Sequence, residues 1–224
     1  MTPKQVPVSI SKTLLLVGVC LVPILPKVAH AADEPAKYTG LPYGGKVASL
    51  PGIIQTEAYD VAPEATNGIS FNYNGTPNKG NLRTTGDAIG LAKFGNGHVS
   101  IKGEPENADQ IYAGWTHTGE WFKYTVHVNE SGVYQFGGHF SAADKGGTIS
   151  ATFTSPTTAA PITTGPVEIP TTAGYQPNVE VYHVWETLDN LAEINLPKGD
   201  YVLTVKIEKN AGINLDYFSF NKKP

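Results

Sequence analysis

Residues 114–128, GWTHTGEWFKYTVHV, contain four aromatic side chains and end in a strict alternation of apolar and polar residues. This alternation is the pattern of a β-strand with one buried face. Phe122, Tyr124 and Val126 share that face, so we expect them in the interior of the protein. The stretch therefore predicts a packed β-sheet protein.

Similar short runs recur along the chain and are separated by turn residues. The runs 122–128 and 133–140 predict one hairpin, and the runs 201–207 and 213–220 predict another. Further strands are predicted at 53–59, 148–153 and 183–188. Because no window of about a dozen residues keeps a helical period with caps, we expect few helices. This pattern is typical of a β-sandwich or a closed barrel.

The first 31 residues have the composition of an export signal. An apolar run at 14–25 follows two lysines, and Ala29-His30-Ala31 supplies small residues for cleavage. The run is shorter than the roughly 20 residues that cross a bilayer, so we expect no membrane span. The sequence thus predicts a secreted or periplasmic protein with a signal peptide at 1–31, a flexible N-terminal segment at 32–51 and one domain at 52–224.

The charge and the cysteine content limit which partners the protein is expected to bind and which features are expected to stabilise it. Without the leader, three of the 16 basic residues and none of the 20 acidic ones are lost, which gives a net charge of 13 − 20 = −7. Nucleic acid is therefore not an expected partner. Cys20 is the only cysteine and lies in the leader, so the mature chain needs core packing or a metal in place of disulfides.

Four segments, in chain order, resemble the family 6 carbohydrate-binding modules and close relatives such as family 35. They are 54–60 (IQTEAYD), 80–83 (GNLR), 114–124 and 212–218 (GINLDYF). The resemblance covers about residues 52–221 and implies an all-β, two-sheet jelly-roll β-sandwich of the galactose-binding-like type. It also implies a non-catalytic, monomeric domain that binds polysaccharide or oligosaccharide alongside secreted glycan-degrading enzymes.

The first and last of these segments contain candidate metal ligands. Gln55 and Glu57 are two positions apart on a predicted strand, so their side chains leave the same face about 6.5 Å apart. The resemblance implies that this pair, Asp216 and loop carbonyls hold a structural Ca²⁺, and hard oxygen ligands suit that ion. The alternative is that Glu57 and Asp216 only lie at solvent-exposed strand ends.

The resemblance also implies a sugar site on loops at one end of the sandwich. Tyr175 is expected to place its ring against a pyranose, and Asn214 is expected to bond its hydroxyls. Leu82 stands where the family has an aromatic residue. The facing ring is therefore expected from Phe71, Tyr73 or Trp185.

Other residues are interpreted as structural. Arg83, the only arginine, is expected to pair inside the protein, with binding of a uronic acid as the alternative. Trp115, Glu120 and Trp121 belong to the motif that begins the central strand. The segments 91–107 and 176–185 have no counterpart in the family pattern and are interpreted as insertions.

Three functions follow as hypotheses. The first is non-catalytic polysaccharide binding stabilised by calcium. The second is a small jelly-roll polysaccharide lyase or glycoside hydrolase, although no nucleophile elbow, phosphate loop or histidine metal motif is present in the sequence. The third is an adhesive or structural sandwich that binds another protein.

Overall fold

The computed structural model describes residues 38–62, 68–75, 82–83, 89–155, 160–210 and 212–224. The predicted signal peptide at 1–31 lies outside this part of the chain. Within it, no helix is long and apolar enough to cross a membrane.

The described residues form fourteen strands and three short 3-10 turns. The strands are β1 (Ala48–Leu50), β2 (Gly52–Gln55), β3 (Phe71–Asn72), β4 (Leu91–Lys93), β5 (Val99–Ser100), β6 (Ile111–Ala113), β7 (Trp121–Val128), β8 (Gly132–Ala142), β9 (Gly147–Thr154), β10 (Ile162–Thr163), β11 (Val167–Ile169), β12 (Val184–Leu196), β13 (Gly199–Asn210) and β14 (Ile213–Lys222). The turns are Tyr43–Gly45, Thr56–Ala58 and Val181–His183.

The strands form two sheets, as the jelly-roll prediction requires. The first has the order β1-β7-β13-β9-β10, with β3 also paired to β7 and β11 to β9. The second has the order β4-β6-β14-β8-β12-β5, with β2 also paired to β14. The long strands from β7 to β9 and from β12 to β14 alternate between the two sheets. The predicted all-β sandwich is confirmed.

The two predicted hairpins are wrong. Strands β7 and β8 lie in different sheets, and so do β13 and β14. Each of these strands pairs with strands that are distant in the sequence, and the short connections cross from one sheet to the other. Alternation fixes which face of a strand is buried, but it does not fix which strand is its neighbour.

The space between the sheets is filled by aromatic and branched side chains. Phe122, Tyr124 and Val126 are buried there, as predicted from their alternation. Tyr124 packs edge-on against Phe218 of the opposite sheet, with ring centroids 6.1 Å apart. These contacts fix β7 and β14 face to face.

The ordered domain begins before Gly52. Strand β1 pairs in parallel with β7, and its Leu50 is fully buried. Tyr38 donates a hydrogen bond of 2.9 Å to Asp60. The predicted start of order near Gly52 is therefore too late, because the preceding residues complete one edge of the first sheet.

Arg83 is buried and has the internal role that was predicted. Its guanidinium lies 3.5 Å from the centroid of the Tyr59 ring and 4.4 Å from that of Tyr43. One of its nitrogens donates a 2.7 Å hydrogen bond to the Tyr59 carbonyl. The side chain thereby attaches the N-terminal segment to the sandwich.

The two segments that the sequence analysis interprets as insertions pack against each other and form a second, smaller core. Trp185 stacks on Phe94 at 4.3 Å and donates a 2.8 Å hydrogen bond to Nδ1 of His98. The His98 ring stacks on His183 at 3.8 Å. Gln176 donates a hydrogen bond of 2.9 Å to the carbonyl of Ile101. The two segments thus form one structural unit.

Glu120 closes the turn before β7. The residue is fully buried, and its two carboxylate oxygens accept hydrogen bonds of 2.8 Å each from the backbone N–H groups of Asn74 and His117. Hydrogen bonds to an ionised acceptor are stronger than those between neutral groups. The structural role predicted for Glu120 is confirmed.

We expect Glu120→Ala to lower the free energy of unfolding by about 3 kcal/mol, because it leaves two buried N–H groups without an acceptor. Denaturant titration of the two proteins measures this difference. The control is Glu193→Ala, which removes only an exposed ion pair with Lys223 and should change stability by about 0.5 kcal/mol or less. Equal effects of the two substitutions would contradict the role of Glu120.

The His98 environment predicts a pH-dependent stability. Burial lowers the pKa of His98 from 6.5 to about 4, and the His183 charge acts in the same direction. The unfolded chain then binds a proton that the folded chain does not, so His98 lowers stability as pH falls from about 6.5 to about 4 and has no such effect above about 7.

The measurement is the unfolding free energy across this range for the wild type and for His98→Gln. Burial raises the pKa of Glu57 and Glu106. As the pH falls, these two carboxyls stabilise the folded state, which is opposite to the effect of His98. For this reason the informative quantity is the difference between the two proteins. An identical pH dependence in both proteins would refute the assignment to His98.

Candidate functional site

Several strand ends meet at one end of the sandwich. Strand β14 begins opposite the last residue of β8, and its Leu215 pairs with Ala113 at the end of β6. The connections that follow β6, β8 and β11, together with the turn at Gly212, therefore lie at the same end. We name this end the loop end, defined by residues 114–120, 143–146, 170–183 and Gly212.

Three aromatic side chains are exposed at the loop end. Trp115 is 59% exposed, Tyr175 is 56% exposed and Tyr182 is 39% exposed. Exposed rings on loops that a rigid scaffold positions are characteristic of binding surfaces. Tyr175 thus occupies the kind of position that was predicted for it, and its contact with sugar stays a prediction.

Asn214 lies between two loops of this end. Its Nδ2 donates a hydrogen bond of 3.1 Å to the carbonyl of Tyr182. Its Oδ1 lies 3.1 Å from the point where a Cβ on Gly114 would stand. The same point lies 2.9 Å from the ring of Tyr112, so any side chain at position 114 would collide with both Tyr112 and the amide oxygen. A half-satisfied amide in this position can accept a hydrogen bond from a ligand hydroxyl.

The three residues that were predicted to face Tyr175 are buried. Phe71 and Tyr73 belong to the main core, and Trp185 is part of the second core. Leu82 packs against the main core. The predicted role of Phe71, Tyr73 or Trp185 as an open platform is therefore wrong, because each ring is already covered by protein.

Trp115 is the exposed ring that the sequence interpretation assigned to the fold. Its φ of +53° lies in the left-handed region, which bulky residues rarely adopt. The sequence offered one signal for this conformation. Trp115 follows Gly114 and precedes Thr116 in a loop that leads into a strand. Its partners Glu120 and Trp121 in the same motif are structural, as interpreted.

The candidate metal ligands are partly brought together. Strand β2 ends at Gln55, which is exposed, whereas Glu57 belongs to the 3-10 turn Thr56–Ala58. The predicted common strand face is therefore wrong. Glu57 and Asp216 are close enough for the charge of Asp216 to raise the pKa of Glu57. The approach of the two chain ends predicted for these carboxylates is consistent with this coupling.

Asp216 is fully buried at a β-bulge. The register of β14 against β8 shifts between Leu215 and Tyr217, and this shift turns the intervening side chain out of the regular ladder. Asp216 Oδ2 accepts hydrogen bonds from Gln110 and from Nδ1 of His139, the latter at 2.7 Å. These partners fix the orientation of the carboxylate.

Among the residues that the structure describes, two buried carboxylate oxygens have no hydrogen-bond partner, Glu57 Oε2 and Asp216 Oδ1. Burial, together with the Asp216 charge, raises the pKa of Glu57 to about 7. Buried unpaired carboxylate oxygens are costly unless a cation neutralises them. In the described part of the chain, no group of three or more His, Cys, Asp or Glu side chains forms a metal centre. A cation here would need amide or carbonyl oxygens as its other ligands.

Comparisons with known proteins give similar structures at low identity. A lichenase 5A module from Cellvibrio mixtus in complex with cellotriose is 18% identical, with 78% of this chain and 98% of that chain covered and a TM-score of 0.46. A β-1,3-glucan-binding module from Bacillus halodurans is 18% identical, with 79% and 99% covered and a TM-score of 0.46. A module from Clostridium stercorarium in complex with cellobiose is 15% identical, with 80% and 99% covered and a TM-score of 0.46.

A search of curated proteins found no match to the chain. The sequence profile described as carbohydrate binding module (family 6) matches residues 92–222, which is more than half of the chain. This span contains β4 to β14, and with them the loop end and Asp216. The chain therefore belongs to carbohydrate-binding module family 6, a family of non-catalytic binding domains.

Proposed function

We propose that this protein is a secreted or periplasmic, non-catalytic module that binds polysaccharide at the loop end, where Tyr175 supplies an apolar ring and Asn214 a hydrogen-bonding amide. The observation that carries the proposal is the position of Asn214. Its buried amide is held by the Tyr182 carbonyl, while its oxygen lies beside Gly114, on the loop that carries the exposed Trp115. This combination of ring faces and one fixed polar group suits a pyranose.

The surroundings of His139 support a non-catalytic role. His139 lies between Asp216 at 2.7 Å and Glu106 at 3.5 Å, an arrangement that could move protons. However, His139 is buried, with its ring stacked on Tyr217 and near Phe94. A general base needs access to the proton that it abstracts. A lyase or hydrolase is therefore the less favoured function.

We also propose a structural Ca²⁺ bound by Glu57 and Asp216, with Gln55 and carbonyl oxygens completing the ligand set. The support is the pair of unpartnered buried oxygens on Glu57 and Asp216, because Ca²⁺ prefers hard oxygen ligands. An ion here would connect the turn after β2 to β14, and so the two ends of the domain. In a mature chain without cysteine, this connection would replace a disulfide.

Glycan binding should depend on Asn214. We expect Asn214→Ala to weaken the affinity for the preferred glycan by about tenfold or more, because a hydroxyl loses its partner. Affinity electrophoresis and calorimetry against xylan, β-glucans and pectins measure this effect.

The matched control is Asn195→Ala, an exposed position on β12 opposite Val133, which should leave binding unchanged. Tyr175→Ala should weaken binding by a similar factor. If the wild type binds none of these glycans, or releases reducing or unsaturated ends from them, the proposed function is wrong.

Calcium should stabilise the folded protein. At free Ca²⁺ about 100 times the dissociation constant, the expected gain is about 2.7 kcal/mol. Thermal unfolding in Ca²⁺ and in a chelator measures the gain. Glu57→Gln and Asp216→Asn should abolish the response, whereas Asp200→Asn, an exposed carboxylate, should retain it. A wild-type melting temperature that does not respond to Ca²⁺ would exclude the site.

A further inference from the structure

His98 connects the 91–107 segment to the 170–183 segment of the loop end. The residue is only 4% exposed, and its imidazole stacks on the ring of His183 with centroids 3.8 Å apart. His183 is the last residue of the 3-10 turn Val181–His183. The stack therefore supports this turn from the side of the 91–107 segment.

The hydrogen bond from Trp185 requires His98 to be neutral. The indole Nε1–H of Trp185 is only a donor, and it donates a 2.8 Å hydrogen bond to Nδ1 of His98. Nδ1 therefore carries a lone pair, and the proton of the neutral ring is on Nε2. A proton added at Nδ1 would remove the acceptor of a fully buried tryptophan. It would also place a positive charge against the ring of His183.

The ionisable neighbours of His98 do not favour an imidazolium. Tyr112 of β6, with ring centroids 5.6 Å apart, stays neutral because burial raises its pKa. The carboxylates of both segments are directed at other histidines, since Glu180 lies 3.7 Å from His183 and Glu106 lies 3.5 Å from a histidine on β8. Burial and the His183 charge lower the pKa of His98 from 6.5 to about 4.

The turn that His98 supports also positions the amide of the candidate sugar site. The carbonyl of Tyr182, the residue before His183, accepts the 3.1 Å hydrogen bond from Nδ2 of Asn214. The His183 N–H closes the turn with a 2.8 Å hydrogen bond to the Glu180 carbonyl. Tyr175 lies earlier in the same segment. A displacement of His183 would therefore move the carbonyl that orients Asn214.

We propose that His98 is a positioning residue of the sugar site, which holds the 170–183 segment in its binding conformation only while its imidazole is neutral, so that acid releases the bound polysaccharide. This inference rests on the proposed function. Protonation ends the hydrogen bond from Trp185 and repels His183, and the turn that orients Asn214 is then displaced. The pH of the surroundings thereby sets the fraction of the protein that is able to bind.

The test is the affinity for the glycan that the wild type binds, measured by calorimetry between about pH 7 and about pH 3. A single proton with a pKa of about 4 leaves about a tenth of the protein able to bind at about pH 3, so the wild-type affinity should fall about tenfold. His98→Gln cannot gain this charge, and its affinity should fall about twofold or less over the same range. The matched control is His127→Gln, which removes a histidine paired with Asp200 near the other end of β7 and should keep the wild-type pH dependence.

A second readout follows the proton in the wild type and needs no variant. The NMR signal of the Trp185 indole N–H should move with the same midpoint as the affinity, while near-ultraviolet circular dichroism should show a folded core. An equal pH dependence of the affinity in the wild type and in His98→Gln overturns this inference and leaves the proposed function standing, as does a wild-type affinity that does not change with pH. A wild type that unfolds before it releases the glycan also overturns the inference. A wild type that binds no glycan at neutral pH overturns both.

Discussion

The pairing of β14 with three other strands is the constraint on which the rest of the structure depends. Its first residues pair with β6 and β8, and its later residues pair with β2 and β8. The partner on one side changes from β6 to β2 between Leu215 and Tyr217, and the bulge lies at this change. Asp216 occupies the bulge and Asn214 precedes it by two residues. The candidate ion site and the candidate sugar site therefore share one strand.

Much of the fold could be predicted from the sequence, because burial of one strand face leaves a visible alternation. Phe122, Tyr124 and Val126 are in the core for that reason. The partners of each strand could not be predicted in this way, since β7 and β8 carry the same alternation whether they form a hairpin or face each other across a sandwich. The start of the domain was also missed. Leu50 is a single buried residue in a short strand, and a run of three residues has too little pattern to detect.

The candidate site was predicted in part. Asn214 and Asp216 lie on a strand, where two-residue spacing is informative, and Tyr175 is exposed on a loop as expected. The facing ring was assigned wrongly because an aromatic residue in a sequence carries no mark of its burial. Trp185 packs against Phe94, a residue of the other insertion, and this contact joins two segments without regular periodicity. Trp115 was assigned to the fold because neither its exposure nor its positive φ is visible in the sequence.

The mutual packing of the two insertions has a consequence for engineering the protein. The segment that carries Tyr175 owes its shape to contacts of Gln176 and His183 with residues of the 91–107 insertion. Transplanting the Tyr175 loop alone into another sandwich would leave its support behind. The two insertions have to be moved as a pair, and natural variants that alter one of them are expected to carry compensating changes in the other.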